Sequence, residues 1–392
     1  MAASRRYVEA LDFVRAVTVV SMIAVHSTWY MANGAHWILS GAILALMHFT
    51  RESFMALTGF VLTYTLFGKP IQWVPILWKR YRLVLFPYVI WTAAYMLLFT
   101  HFPSVRVFAV AFGRNLLDGN GWFHLYYLLI TMQFYLLLPA FLRLMRLAKR
   151  RPLMVMLAAL SFELALTTYD QYGIGMHPRG IDRYISEEVW TYSAYFVLGG
   201  IGALYWSVLR QWLHDHLTVI ITVAVGTAIF MLVGFGLQSA SDTSLVRADS
   251  VIQPAMVPWA IAVIMLLAAL GVRYEDSRRN RHGDWSAIKW AADLSFGLYL
   301  VHPLLLQYWT TFLAWRHWDR PSYWLDGVTI ALLVVGSGLF TRLISWTPVS
   351  PWIIGRAALP PGVGKLSWLA RRKHLLMVAQ RSPVRRPRKG GR

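Results

Sequence analysis

Long apolar runs alternate with short polar stretches along most of this chain of 392 residues. Most runs approach the length of about 20 residues that an α-helix needs to cross about 30 Å of hydrocarbon. The pattern predicts an all-α membrane protein, a polytopic bundle of about ten transmembrane helices. The predicted spans are residues 11–32, 42–67, 83–101, 122–142, 153–169, 188–209, 217–237, 252–272, 288–314 and 323–346.

Composition places the chain in the same class. Hydrophobic residues make up 57% of the chain and charged residues only 14%, which is too apolar for an ordinary soluble protein. The absence of cysteine excludes disulfides, thiolate catalysis and cysteine-bound metal centres. His214, Asp215 and His216 are adjacent in a short turn and cannot all face one ion, so no metal site is predicted.

The distribution of basic residues predicts the topology. With the N-terminus inside, 28 of the 38 Lys and Arg residues lie in predicted cytoplasmic segments and 7 in the outside loops. This bias places both termini in the cytoplasm of a multi-pass protein of the cell membrane. It also explains the net charge of +20 without a nucleic-acid partner. Residues 1–350 form the predicted membrane domain, and 351–392 a basic, largely disordered tail that could lie on anionic membrane lipid.

Two polar side chains interrupt the first predicted span. Arg15 and His26 are eleven residues apart, which places them within about 20° of the same helix face and roughly 16 Å apart along it. A charged residue inside hydrocarbon is normally turned toward the bundle interior or a watery cavity. Asp12, three residues before Arg15, is spaced to hold its guanidinium. We therefore expect this helix face to line a functional site.

Charged residues also occur in or near the next two spans. Arg51 and Glu52 lie within the second span and, being adjacent on a helix, are expected to face different neighbours. A buried ion pair between helices, or a helix that begins later, are alternative interpretations. Lys79, Arg80 and Arg82 form a basic cluster at the cytoplasmic entrance of the third span. Such a cluster suits phosphate groups, although ordinary positive-inside charge is an alternative.

Histidines and tyrosines occur in the fourth and ninth spans. His124 lies at the outer end of the fourth span, among aromatic residues typical of a membrane interface, and Tyr127 and Tyr135 follow it. Aromatic faces with hydroxyl groups also bind sugars, so these residues could form part of an acceptor site. His302 precedes Pro303 in the ninth span, and this proline is expected to kink the helix.

Taken in order, these motifs resemble the acyltransferase 3 family of integral-membrane O-acyltransferases. Arg15 and His26 match the Arg-x10-His signature of that family, and Thr58 takes the place of the serine in its Ser-Gly-Phe motif. Further matching stretches are residues 80–91, 122–139 and 299–303. The second and fourth spans look similar to the branch that contains the poly-N-acetylglucosamine intercellular adhesin membrane protein and surface-polysaccharide acetyl- and succinyltransferases.

The resemblance implies transfer of an acyl group, acetyl or similar, from cytoplasmic acyl-CoA to a hydroxyl of a glycan, a lipid-linked sugar or another small acceptor. No permanently bound cofactor is expected. Arg15, with Lys79, Arg80 and Arg82, would bind the donor, and His26 would act as general base or as transient acyl carrier. Supporting or substrate-binding roles are expected for Asp12, Arg51, Glu52, His124, Tyr127, Tyr135 and His302. Polysaccharide export, or a scaffold that docks a partner through the basic tail, are the alternative functions.

Overall fold

The computed structural model describes residues 7–32, 38–173, 188–240, 248–280 and 286–356, and the predicted basic tail lies almost entirely outside them. The described α-helices are α1 Ala10–Met31, α2 Ile38–Met47, α3 Thr50–Leu66, α4 Trp73–Phe99, α5 Val105–Asp118, α6 Tyr126–Ala148, α7 Pro152–Tyr172, α8 Ser193–Leu204, α9 Trp206–Asp215, α10 Leu217–Ala240, α11 Met256–Asn280, α12 Ser286–Trp315, α13 Tyr323–Ser345 and α14 Ser350–Ile353. A 3₁₀ turn, Val189–Tyr192, precedes α8. The prediction of an all-α protein is confirmed over these residues.

The described helices form a multi-pass membrane protein, although the prediction of ten spans is not confirmed. Seven helices are long and apolar enough to cross a membrane, namely α1, α4, α6, α7, α10, α11 and α13. The 3₁₀ turn, α8 and α9 together would form an eighth, but the chain bends by 94° between α8 and α9. The predicted span 188–209 is therefore not one straight helix.

Two other predicted spans also differ from the observed helices. The second span is divided at His48 and Phe49 into α2 and α3, so Arg51 and Glu52 lie in the first turn of a new helix. The third span begins earlier than predicted, because α4 starts at Trp73. The basic cluster 79–82 is therefore helical and not part of a loop. The ninth span is one helix, α12, and it continues through Pro303.

Helix α1 lies at the centre of the bundle and contacts α2, α3, α11, α12 and α13. Thirteen of its 22 residues are buried, so protein surrounds it on several faces. Helix α10 has only four buried residues among 24 and exposes mainly valine and isoleucine side chains, as expected for a helix in contact with lipid. The site predicted on α1 therefore lies in the interior of the protein.

Helices α3 and α8 approach each other closely, and two glycines make this possible. A Cβ added at Gly59 would lie 2.1 Å from the backbone oxygen of Phe196, and one at Gly199 would lie 2.0 Å from that of Ala56. Any side chain at either position would force the helices apart, as in other small-residue contacts between membrane helices. This contact holds α3 with its opposite face, which carries Phe54 and Thr58, toward the centre of the bundle.

Candidate functional site

Arg15 faces a cavity of about 220 Å³ enclosed by α1, α3, α4, α6 and α12. Arg80 reaches the same cavity from α4, and its guanidinium carbon lies 5.9 Å from the ring centre of Tyr135. The other polar lining residues are Thr58, Tyr127, Tyr135, Ser295 and Tyr299. Two guanidinium groups from different helices therefore face one space, which we call the arginine cavity.

Asp12 holds Arg15, with a distance of 3.5 Å between Asp12 Oδ1 and Arg15 Nη1. The fully buried carboxylate also accepts a hydrogen bond from the Tyr7 hydroxyl, and its Oδ2 lies 3.5 Å from Lys289 Nζ. Lys289 Nζ also lies 2.7 Å from Asp293 Oδ1, a carboxylate that a third cation, Arg356, contacts as well. Two carboxylates thus face three cations. The group as a whole keeps a positive charge beside the arginine cavity.

A second space of about 320 Å³ adjoins the arginine cavity and shares Thr58, Tyr127, Tyr135 and Phe296 with it. Arg356, which was not predicted from the sequence, lines this second space. Its Nη2 lies 3.5 Å from the Asp293 carboxylate, and its Nη1 donates to the Asp293 backbone oxygen. A third arginine, Arg356, is therefore held in the space next to the arginine cavity.

His26 lines a smaller cavity of about 110 Å³, which we call the histidine cavity. Phe54, Tyr127 and Tyr299 line both this cavity and the arginine cavity, so the two adjoin. Arg15 and His26 thus line adjoining cavities on one side of α1. This arrangement agrees with their eleven-residue spacing.

His26 and His124 line this cavity, and His302 packs against both of them. The His26 and His302 rings are stacked with centres 5.3 Å apart, and the His302 and His124 ring centres are 5.7 Å apart. His302 Nδ1 lies 3.0 Å from the Leu298 carbonyl oxygen, which can only accept, so Nδ1 carries the hydrogen. In the neutral ring Nε2 is then an acceptor. Among the described residues, no group of three His, Asp or Glu is arranged to hold a metal ion.

His124 is buried within the bundle. It is 2% exposed and packs against Tyr95, Tyr299 and His302. It lies in the turn before α6, which begins at Tyr126. The Tyr299 hydroxyl donates to the His124 backbone oxygen and so holds this turn in the bundle interior.

Arg51 lies in the histidine cavity, where its Nη1 donates to the hydroxyls of Tyr126 at 2.7 Å and Tyr192 at 3.2 Å. Glu52 is buried but lines neither cavity among the described contacts. The two residues therefore face different surroundings, in line with their adjacent positions on a helix.

The comparisons with known proteins can be set beside this geometry. A family model for the acyltransferase 3 family, described as an acyltransferase domain, matches residues 8–355, which include both cavities. The chain belongs to this acyltransferase family. Neither a curated protein nor a solved structure matches it. Family membership implies membrane acyl transfer, and the similarity to the surface-polysaccharide branch stays a prediction.

Two members of the predicted donor cluster do not reach the acyltransferase cavities. Lys79 and Arg82 are exposed on α4 and line neither the arginine cavity nor the histidine cavity. Arg80 lies between them on the inward side of the helix. Successive residues on a helix point about 100° apart, so one member of such a cluster can face inward while its neighbours face outward.

The acidic residue that holds the C-terminal half of α1 was not predicted from the sequence. Asp326 of α13 accepts hydrogen bonds from Ser27 Oγ at 2.6 Å and Thr28 Oγ1 at 2.7 Å, directly after His26. Its carboxylate lies in the first turn of α13, where the helix dipole favours a negative charge. The available signal in the sequence was the position of Asp326, an acidic residue near the start of an apolar run. The sequence did not indicate which helix Asp326 contacts.

Proposed function

We propose that this acyltransferase uses acyl-CoA as donor, bound at the arginine cavity, and transfers the acyl group to a hydroxyl that enters through the histidine cavity. The acceptor would be a glycan, a lipid-linked sugar or another small molecule at the cell membrane. The observation that carries this proposal is that the two cavities adjoin, since Phe54, Tyr127 and Tyr299 line both. The arginine cavity is lined by the guanidinium groups of Arg15 and Arg80, and the histidine cavity by the imidazoles of His26 and His124.

The charges favour an anionic donor at the arginine cavity. Arg15 and Arg80 face the same space, and guanidinium groups bind phosphates through two parallel hydrogen bonds. The exposed Lys79 and Arg82 add positive charge at the rim of α4 and would attract the same donor from solution. Arg15, Lys289 and Arg356 face only two carboxylates, those of Asp12 and Asp293, so a net positive charge remains to attract an anion.

The histidine cavity supplies the base. The acceptor hydroxyl oxygen would form a bond to the thioester carbonyl carbon while its proton passes to His26. The carbon–sulfur bond then breaks with its electron pair on sulfur, and the proton moves on to the CoA thiolate. Tyr127 lines both cavities, and we propose that its hydroxyl donates to the carbonyl oxygen as negative charge develops there. His302, stacked on His26, would hold that ring in position.

The decisive experiment compares cells that contain the intact protein, a His26→Ala variant, or a deletion. Surface glycans and extracted lipids are analysed by mass spectrometry for ester substituents. Purified protein in lipid vesicles is assayed in parallel for CoA release. We expect deletion to remove a substituent and His26→Ala to lower CoA release by about 10² to 10⁴-fold, the usual contribution of a general base.

His101→Ala is the matched control, since His101 is exposed in the turn between α4 and α5 and lines neither cavity. We expect this variant to retain activity. If His26→Ala keeps the substituent that the deletion loses, the assignment of His26 is wrong. An intact protein that releases no CoA from any acyl-CoA would refute the donor.

A further inference from the structure

A third cavity, of about 380 Å³, lies on the opposite side of α3 from the arginine cavity. It is lined by α1, α3, α7, α8, α9 and α11, and by Tyr205 at the 94° bend that joins α8 to α9. Its walls are almost entirely apolar, with Leu11, Val14, Phe60, Ile264 and Met265 among the lining residues. We call it the apolar cavity.

The apolar cavity and the arginine cavity share one wall. Leu57 lines both, and Val14, which lines the apolar cavity, precedes Arg15 in the chain. The Thr18 and Ser53 hydroxyls, 2.9 Å apart, hold α1 and α3 together one turn further along. At Leu57 and Val14 this wall is aliphatic, and such side chains can rotate without breaking a hydrogen bond.

We propose that the apolar cavity receives the hydrocarbon chain of the acyl donor, so that the acyltransferase uses medium-length straight-chain acyl groups and not acetyl alone. This inference rests on the proposed function. Cavities lined by apolar side chains stay dry and bind apolar ligands, and this one falls within the volume range of small-molecule sites. A thioester held beside Tyr127, where the arginine and histidine cavities adjoin, would direct its chain past Leu57 into this space.

The walls favour a chain over a sugar. A sugar requires hydrogen-bonding groups to replace its hydration, and the apolar cavity has few polar side chains, among them Ser53, Tyr195 and Tyr205. Each methylene that a hydrophobic pocket accepts or rejects changes specificity by about tenfold or more. The length of the acyl chain is therefore the property that this cavity would select.

The test is a glycine substitution that fills the cavity. Gly202 of α8 lines the apolar cavity, and a Cβ added there would lie 3.4 Å from Leu209 and 3.7 Å from Phe60, which are ordinary contacts. Gly202→Leu should therefore fold and occupy part of the space. Gly226→Leu is the matched control, because no atom lies within 4 Å of a Cβ at that position on α10.

CoA release from octanoyl-CoA and from acetyl-CoA is measured with both variants and the unmodified protein in vesicles. We expect the octanoyl-to-acetyl ratio to fall by about tenfold or more in Gly202→Leu and to stay unchanged in Gly226→Leu. A photoreactive octanoyl-CoA analogue should label peptides of α8 or α11 in the unmodified protein, and less so in Gly202→Leu. This labelling does not require turnover.

The outcomes separate the two proposals. If acetyl-CoA is used and the octanoyl-to-acetyl ratio is the same in Gly202→Leu, the apolar cavity does not bind the donor chain, while the proposed function stands. If a phospholipid copurifies with the unmodified protein and is lost from Gly202→Leu without any change in donor use, the occupant is a membrane lipid and the inference is wrong. If no acyl-CoA is turned over, the proposed function fails, and absence of labelling in α8 and α11 refutes the chain site as well.

Discussion

Asp326 ties α13 to α1 directly beside His26, and replacing it by alanine tests whether this contact positions the site. The substitution removes two short hydrogen bonds, from Ser27 at 2.6 Å and Thr28 at 2.7 Å. Hydrogen bonds to charged groups contribute about 1.5–3 kcal/mol each in soluble proteins, but couplings measured between membrane helices average only about 0.6 kcal/mol. Asp326 is 6% exposed, so the Thr28 hydroxyl would be left buried without its carboxylate acceptor, and the Ser27 hydroxyl would keep only the Asp326 backbone oxygen, at 3.5 Å. We expect a loss of about 2–4 kcal/mol in the free energy of unfolding.

The measurement is detergent unfolding followed by tryptophan fluorescence, with Asp319→Ala, at an exposed position before α13, as the control. A double-mutant cycle of Asp326→Ala with Ser27→Ala isolates one of the two contacts. We also expect kcat to fall more than KM changes, because Ser27 follows the proposed base His26 in α1. A coupling energy below about 0.5 kcal/mol, within the error of additivity, would refute the reasoning.

Three further predictions follow from the described contacts. Arg80→Ala should raise the KM for acyl-CoA more than Arg82→Ala does, because of these two residues Arg80 alone lines the arginine cavity. Equal effects of the two variants in titrations with the donor would contradict this. Gly59→Ala should reduce the yield of folded protein, since its Cβ would lie 2.1 Å from a backbone oxygen. Gly113→Ala should not, because the space around Gly113 is open. Similar size-exclusion profiles for the two variants would argue against the close helix contact. Burial raises the pKa of Asp249, between α10 and α11, from 3.8 to about 7. The folded state favours the protonated form of Asp249, so the stability that this residue contributes at low pH is lost as the pH rises through about 7. The Tm of Asp249→Asn minus the Tm of the unmodified protein should therefore grow from about pH 4 to about pH 8. A constant difference would oppose this.

The face of α1 that carries Arg15 and His26 could be predicted from a local sequence pattern. The predicted span 11–32 differs from the observed Ala10–Met31 by one residue at each end, and Arg15 and His26 lie on one side of it. The Asp12 contact with Arg15 also follows from spacing along a single helix. Such features depend on hydropathy and on a fixed rotation per residue, and both can be read from a stretch of about 20 residues.

The remainder of the site depends on contacts between distant parts of the chain. His124 belongs to the interior because Tyr299, 175 residues away, accommodates its turn, and Asp326 meets Ser27 across 299 residues. The break at His48, the bend after α8 and the inward position of Arg80 likewise follow from how helices pack. By itself the sequence determined the membrane class, the central helix and its polar face, because these are local properties. Only the tertiary structure decided which helix faces meet and where the cavities form, because these depend on contacts between segments that are far apart in the chain.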